Sequence, residues 1–395
     1  MRRVLVTGFI LVLVGVACGV GMYVFFRVVE ALEALTSTST LSVAVFAFLS
    51  TVIPYIVSKY MGVYSGGGSE VLVQSVHGDP ERFNTGRALG YYAVSALTIG
   101  LGGSAGPEGP MIMYGAGVAR AFKRFINSRD AKRLLLAGAA AGISAGFKAP
   151  MTGIFYALEI PYKRGVEADA FTWAIPSAVV AYVTSQLLIE PHIRVYPPRY
   201  TLAVDAGLIL VSVAIGLASA GLALFIVAVM SGLERVRARL GLLMPVASGS
   251  LLALLVVLFP WVRGLGYTAV NGVLAGALRL GAAQLIALAI VKALATALTI
   301  RGGGSGGVFL PTVFAGIALG AGIAELAGAM GFSVCRELVI STAASSLLAA
   351  TSKTLLTSIA LGIEAFGYTN PIPMLLASTT AYMLTIKWSI IKGQK

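Results

Sequence analysis

A single carboxylate, Glu108, lies inside the glycine-rich run Gly102–Pro110, and a second run, Gly302–Pro311, is glycine-rich with no charged residue. Both lead into apolar stretches able to start a helix. Glycine lets the backbone turn sharply with its N–H groups exposed. A helix start leaves its first N–H groups unpaired at the positive end of the dipole. Such groups bind anions without a full positive charge. A buried lysine would hold an ion too tightly to release it, whereas partial charges let it leave. Ser65-Gly66-Gly67-Gly68-Ser69 has a similar make-up, so three converging segments would build one anion site. The plainer reading, that glycines permit close helix packing, suits scattered glycines better than runs that precede helix starts. As a carboxylate, Glu108 can occupy those amides itself; as a neutral acid it would swing away. Protonation and anion occupancy would then be coupled. A helix-capping acid is the structural alternative.

The elements that must position these groups belong in lipid. Of 395 residues, 57% are hydrophobic and only 11% charged, against roughly 25% charged in soluble domains. The segments Val4–Phe26, Leu41–Val57, Thr172–Leu188, Ala206–Met230, Leu242–Val262 and Ala283–Leu298 read as membrane spans. Val4–Phe26 is too long for a signal peptide and no small-residue cleavage site follows it. The net charge of +13 does not mark a nucleic-acid face. Basic residues fall in short clusters between apolar runs: Arg2-Arg3, Arg120 to Arg133, Lys163-Arg164 and Arg235-Arg237-Arg239. That is the pattern of cytoplasmic membrane loops. Arg133–Phe147 and Met151–Ile160, divided by Lys148-Ala149-Pro150, read as a re-entrant hairpin of half-helices opening on the cytoplasmic side. His77 and His192 read as solvated loop residues, and Cys18 and Cys335 fit neither a metal spacing nor a disulfide framework. No paired Asp, His/Glu metal set or nucleophile–base pair occurs at membrane depth, so the sequence does not read as an enzyme.

An internal repeat organises the chain. Gly103–Pro110 lies over Gly304–Pro311 with four of eight positions identical, an offset of 201. Lys148–Ile154 lies over Lys353–Ile359 at an offset of 205, which also pairs Glu159 with Glu364. The expected fold is an all-α polytopic membrane protein, a single integral membrane domain of two inverted-topology repeats, 1–195 and 196–395. Its broken helices should place a site near the midplane, where the repeats meet. Glu159 and Glu364, equivalent in the two halves, read as structural.

These residues resemble the ClC family of chloride channels and chloride/proton antiporters, over nearly the whole chain. Gly106-Pro107-Glu108-Gly109-Pro110 is similar to the family's G-[KR]-E-G-P, whose glutamate is the external gate and proton acceptor. Gly307-Val308-Phe309-Leu310-Pro311 is similar to G-x-F-x-P, whose backbone amides hold the central anion. Gly138–Gly142, followed by Ala149-Pro150, resembles the stretch after the gate. The resemblance implies anion contacts from Gly106, Gly109, Gly307, Val308 and Phe309. Three positions depart from the family. The serine of G-S-G-I-P falls 41 residues before the gate, at Gly67, with Ser65 and Ser69 the nearest hydroxyls. The central tyrosine falls at Ile391, by the likeness of Ser389–Gln394 to S-I-Y-x-x-Q, or at Trp388. The internal glutamate falls at Ile160, just after Glu159, leaving Glu159 or water for the inward proton leg. Pro107 replaces the usual basic residue beside the gate. The family further implies a homodimer with one pore per subunit, cytoplasmic termini, and no cofactor. The expected activity is exchange of chloride, or a similar small monovalent anion, for protons across the cell membrane. A passive anion channel is the second reading.

Overall fold

Apolar runs of about 20 residues cross a bilayer only as helices, because every peptide group must find its partner within the segment. The computed structural model describes residues 2–64, 66–190, 206–332, 334–367 and 371–395. Helix α1 (Arg2–Thr36) extends past the expected Val4–Phe26, and α2 (Thr40–Met61) runs from a Ser39 cap to a left-handed Gly62. A two-residue strand β1 (Gly66–Gly67) then leads into α3 (Gly68–His77), followed by α4 (Thr85–Gly100) and α5 (Glu108–Ala121). Helices α6 (Ala131–Phe147), α7 (Pro150–Glu159) and α8 (Phe171–Leu188) complete the first half.

The second half repeats the succession of eight helices, with its short strand placed later. It comprises α9 (Ala206–Leu240), α10 (Met244–Leu258), α11 (Tyr267–Leu274), α12 (Ala282–Gly302), strand β2 (Ser305–Gly306), α13 (Phe309–Ala329), α14 (Arg336–Ser352), α15 (Leu355–Phe366) and α16 (Ile372–Leu384). Expected spans agree with these helices in type. One span was not anticipated: α13 is long and apolar enough to cross and is almost wholly buried in protein. The sequence reading took the stretch after Gly302–Gly307 only as a helix start, without following it to a full span.

The equivalence of the halves is visible residue by residue. Lys148 and Lys353 both end a helix in the left-handed region, at φ 53° and 61°. For a residue other than glycine that costs about 1–2 kcal/mol. Each ammonium recovers stability on oxygens nearby: Lys148 on Gln186 Oε1 and the Ile189 carbonyl, Lys353 on the Ala350 carbonyl and Thr385 Oγ1. With ten residues, α7 spans roughly 15 Å at ~1.5 Å per residue, so it turns back inside the hydrocarbon as the hairpin reading required.

A helix that starts inside lipid needs partners for its first N–H groups, and the halves supply them to each other. Glu159, at the end of α7, accepts from Leu356 N, Thr357 N and Thr357 Oγ1 at the start of α15, all at 2.7 Å. Glu364, near the end of α15, accepts from Met151 N, Thr152 N and Thr152 Oγ1 at 2.7–2.8 Å. Two equivalent helices that cap each other tail to head run antiparallel. The repeats are therefore inverted.

The termini share one face. Lys395 exchanges backbone hydrogen bonds with Pro161 and Lys163, while Arg3 shares a cavity wall with Arg124 and Arg133. These are the basic clusters, so the loops richest in arginine and lysine gather on the face that carries both termini. His77 is not a free loop residue. It ends α3, its Nε2 lies 2.6 Å from the Pro161 carbonyl, and its ring meets Tyr162 edge-on. His192 and the 195/196 boundary lie outside the described residues. Large apolar side chains such as Phe9, Leu210 and Leu254 project outward on α1, α9 and α10, as lipid contact requires.

Replacing Glu159 by Ala should leave a buried N–H, a partly buried N–H and a hydroxyl without acceptors, at a cost on the order of 3 kcal/mol. The midpoint of thermal unfolding in detergent should fall by several degrees, and less for Glu159→Gln, whose amide oxygen still accepts. An unchanged midpoint in Glu159→Ala would contradict the clamp.

Candidate functional site

The glycine-rich segments meet at the centre of the protein. Strand β1 pairs in parallel with β2, Gly66 beside Ser305 and Gly67 beside Gly306. Gly106 and Gly307 exchange both backbone hydrogen bonds, at 2.9 and 2.8 Å. These two residues are equivalents in the repeat, so the pseudo-two-fold axis passes between them. Backbones approach this closely only without side chains. A Cβ on Gly109 would lie 2.8 Å from Gly307 N, and one on Gly68 would lie 2.4 Å from the Gly109 carbonyl oxygen.

Hydroxyls from neighbouring helices satisfy the peptide groups left over. Ser305 N donates to Thr98 Oγ1 of α4 at 3.1 Å, and Ser104 N donates to Thr299 Oγ1 of α12 at 3.0 Å. Each threonine donates in turn to the carbonyl four residues earlier. Tyr91 of α4 is fully buried. Its hydroxyl lies 2.6 Å from the Gly66 carbonyl and 3.0 Å from that of Gly306, and accepts from Gly306 N. One phenol thus ties the first segment to the third.

Glu108 opens α5, yet its carboxylate caps α13. Oε1 accepts from Phe309 N and, at 3.1 Å, from Leu310 N. The side chain is 1% exposed, and Oε2 has no hydrogen-bond partner among the described residues. Gly106 and Gly307 flank the carboxylate, and a Cβ on either would come within 2.1 Å of a carboxylate oxygen. The absence of side chains at both positions makes the room it fills. An anion-sized group therefore sits on the first amides of a helix, in a buried site, where the dipole and the N–H groups act together.

The other residues singled out in the sequence lie as follows. Val308 is the N-cap of α13 and gives its carbonyl to Thr312, so the amides engaged by the carboxylate are those of Phe309 and Leu310, one residue further on than expected. Gly67 is in β1, and Ser69 Oγ accepts from the Tyr156 hydroxyl at 2.8 Å. Ser65 lies outside the described residues. Ile391 is buried, whereas Trp388 is 48% exposed. Ile390, not Ile391, shares a cavity wall of about 10 Å³ with Val308 and Pro311. Glu159 is held by α15 as described, and the Ile160 carbonyl accepts from Gln394 Nε2. Sequence reasoning missed Tyr91, Thr98, Thr299 and Tyr156. An offset of 201 relates Thr98 to Thr299 and was there to be extended; nothing in the sequence marks the two tyrosines among 15.

Residues 49–385 match the family model described as voltage gated chloride channel. The chain belongs to that family. Among CLC relatives, chloride channel protein CLC-e of Arabidopsis thaliana is 30% identical over 254 residues, covering 59% of this chain and 36% of the relative. The voltage-gated ClC-type chloride channel ClcB of Salmonella typhimurium is 30% identical over 244 residues, 60% of this chain and 58% of that protein. The matched regions thus span less than two thirds of either relative. Two solved CLC structures share the fold. A CLC-type fluoride/proton antiporter superposes with a TM-score of 0.88 at 24% identity, covering 99% of this chain and 98% of that one. A slow cyanobacterial Cl-/H+ antiporter gives 0.82 at 20% identity, covering 96% and 94%. The all-α membrane architecture is therefore that of the CLC transporters.

The three closest atoms at Gly106 belong to the Glu108 side chain, whereas Gly307 also abuts the Gly109 backbone. Gly106→Ala should therefore expel the carboxylate from the Phe309 and Leu310 amides and keep the fold. A structure of that variant with Glu108 still on both amides would contradict the steric account.

Proposed function

We propose that the protein exchanges small monovalent anions, chloride foremost, for protons, with Glu108 as the shared gate and proton acceptor. The observation that carries this reading is the carboxylate on the Phe309 and Leu310 amides, in the place an anion would take. A negatively charged acceptor on a peptide N–H is worth about 1.5–3 kcal/mol per bond, and a neutral one less. Protonation would weaken both bonds and free the amides for an incoming anion. Loss of the proton returns the carboxylate and displaces that anion. Exchange follows because one seat cannot hold both.

Chloride is the leading substrate because the CLC relatives named above are chloride channels; the fluoride/proton antiporter among the structural neighbours makes fluoride the ion to compare. Both oxygens of Glu159 are committed to α15, so this reading gives the inward proton leg to water. It also takes 1–195 and 196–395 as the two repeats of one membrane domain, and a homodimer in the cell membrane, with one path per subunit, as the working unit. The second reading, a passive anion channel, is favoured by the apolar Ile160 and the capped Glu159.

Purified protein in liposomes separates the two. An imposed chloride gradient should drive protons uphill, and Glu108→Gln should abolish proton movement while chloride flux persists. Chloride flux without any proton movement in the wild type would establish the channel. Unchanged proton coupling in Glu108→Gln would remove Glu108 from the mechanism.

A further inference from the structure

On the face that carries both termini, α1, α8 and the turn after α5 enclose a cavity of about 680 Å³. Arg3 of α1, Arg124 of that turn and Arg133 of α6 stand in its wall, against a single carboxylate, Asp130. Arg133 is already engaged: its Nη atoms lie 2.5 Å from Asp130 and 2.7 Å from Asp169. Neither Arg3 nor Arg124 has a carboxylate partner among the described residues. Two positive charges therefore stand unanswered in the wall.

The rest of the wall is of two kinds. Thr7, Asn127 and Thr172 supply neutral polar groups, while Leu11, Ile126, Trp173 and Pro176 are apolar. The cavity also borders the lipid-facing surface. Val4, in its wall, is 76% exposed, and Leu5 and Phe9 on the same helix project outward. Gly8 keeps the space open, since a Cβ there would meet no atom within 4 Å.

We infer that this cavity binds an anionic phospholipid from the leaflet on the side of the termini. Its phosphate would lie between Arg3 and Arg124, with an acyl chain along the apolar wall. A guanidinium presents a planar fork of donors that matches phosphate oxygens. Inorganic phosphate would satisfy the arginines and leave the apolar wall wet. A neutral lipid would cover that wall and leave two charges without a partner. A ligand with an anionic head and a hydrocarbon tail uses both parts. Basic pockets between membrane helices at the bilayer surface take such headgroups, and tryptophan is enriched at the same depth. The bound lipid would join α1 and α8 to Arg124, just past the end of α5, the helix that Glu108 opens.

The test is native mass spectrometry of delipidated protein in detergent, titrated with phosphatidylglycerol or phosphatidylcholine. One phosphatidylglycerol per chain should bind at least tenfold more tightly than phosphatidylcholine. Arg3→Ala/Arg124→Ala should weaken it about thirtyfold, whereas Arg235→Ala/Arg239→Ala, an equal change of charge at the end of α9, should alter it little. Gly8→Leu fills the cavity with no change of charge and a better helix former, and should weaken phosphatidylglycerol about tenfold. The changed positions lie outside the core, so unfolding midpoints without lipid should stay close to that of the wild type. Equal losses in the two arginine pairs would reveal diffuse attraction to a basic face and overturn the inference. An unweakened Gly8→Leu would overturn it too, because no chain would then lie in the cavity. Displacement of the lipid by inorganic phosphate at matched concentration would make this a site for a soluble anion. Gly8→Leu converting a dimer to monomers with lipid binding unchanged would make it an interface between copies, and either result would end the lipid proposal.

Discussion

Inside hydrocarbon, a peptide N–H without an acceptor costs several kcal/mol, and this chain starts helices there repeatedly. The fold is arranged around finding acceptors for them. The start of α15 takes its acceptors from Glu159, the start of α7 from Glu364, and the start of α13 from Glu108. The turns before α5 and α13 take theirs from Thr299 and Thr98. In each case the acceptor belongs to the opposite half. This is why neither half could complete its own broken helices, and why the polar groups collect at the interface between repeats.

The three carboxylates answer the same need with different permanence. Glu159 and Glu364 each use both oxygens on three donors, two from the backbone and one from a threonine hydroxyl. Glu108 uses one oxygen and leaves the other without a partner among the described residues. It is also the carboxylate without a repeat counterpart, since Phe309 stands in that place. The pseudo-two-fold axis at Gly106 and Gly307 thus relates two unlike groups. The repeat keeps its symmetry at the two acids that clamp helix starts and lacks it at Glu108.

Much of this was legible in the residues. The glycine runs and the offset of 201 identified the segments that meet on the axis, and the pairing of Glu159 with Glu364 marked both acids as structural, though not what they cap. Lys148-Ala149-Pro150 marked the first hairpin tip, and the repeat laid Lys353 over Lys148. What stayed hidden was three-dimensional. The donors to Glu108 begin at Phe309 because Val308 is still the cap. The phenol of Tyr91, which ties β1 to β2, looks in sequence like any membrane tyrosine. Tyr156 meets Ser69 from 87 residues away in the chain, and neither local pattern points to the other. His77 was misjudged for the same reason: its partner, Pro161, is 84 residues away.

The mutual capping of α7 and α15 also limits how the protein can move. Rocking one repeat as a rigid body against the other would break six hydrogen bonds at once, three to each clamp carboxylate. At roughly 1.5 kcal/mol each, that is about 9 kcal/mol before any packing is counted. A frame joined in this way resists swinging its halves apart. By the same count the Glu108 side chain, held through one oxygen on two amides, is tied more lightly than either clamp.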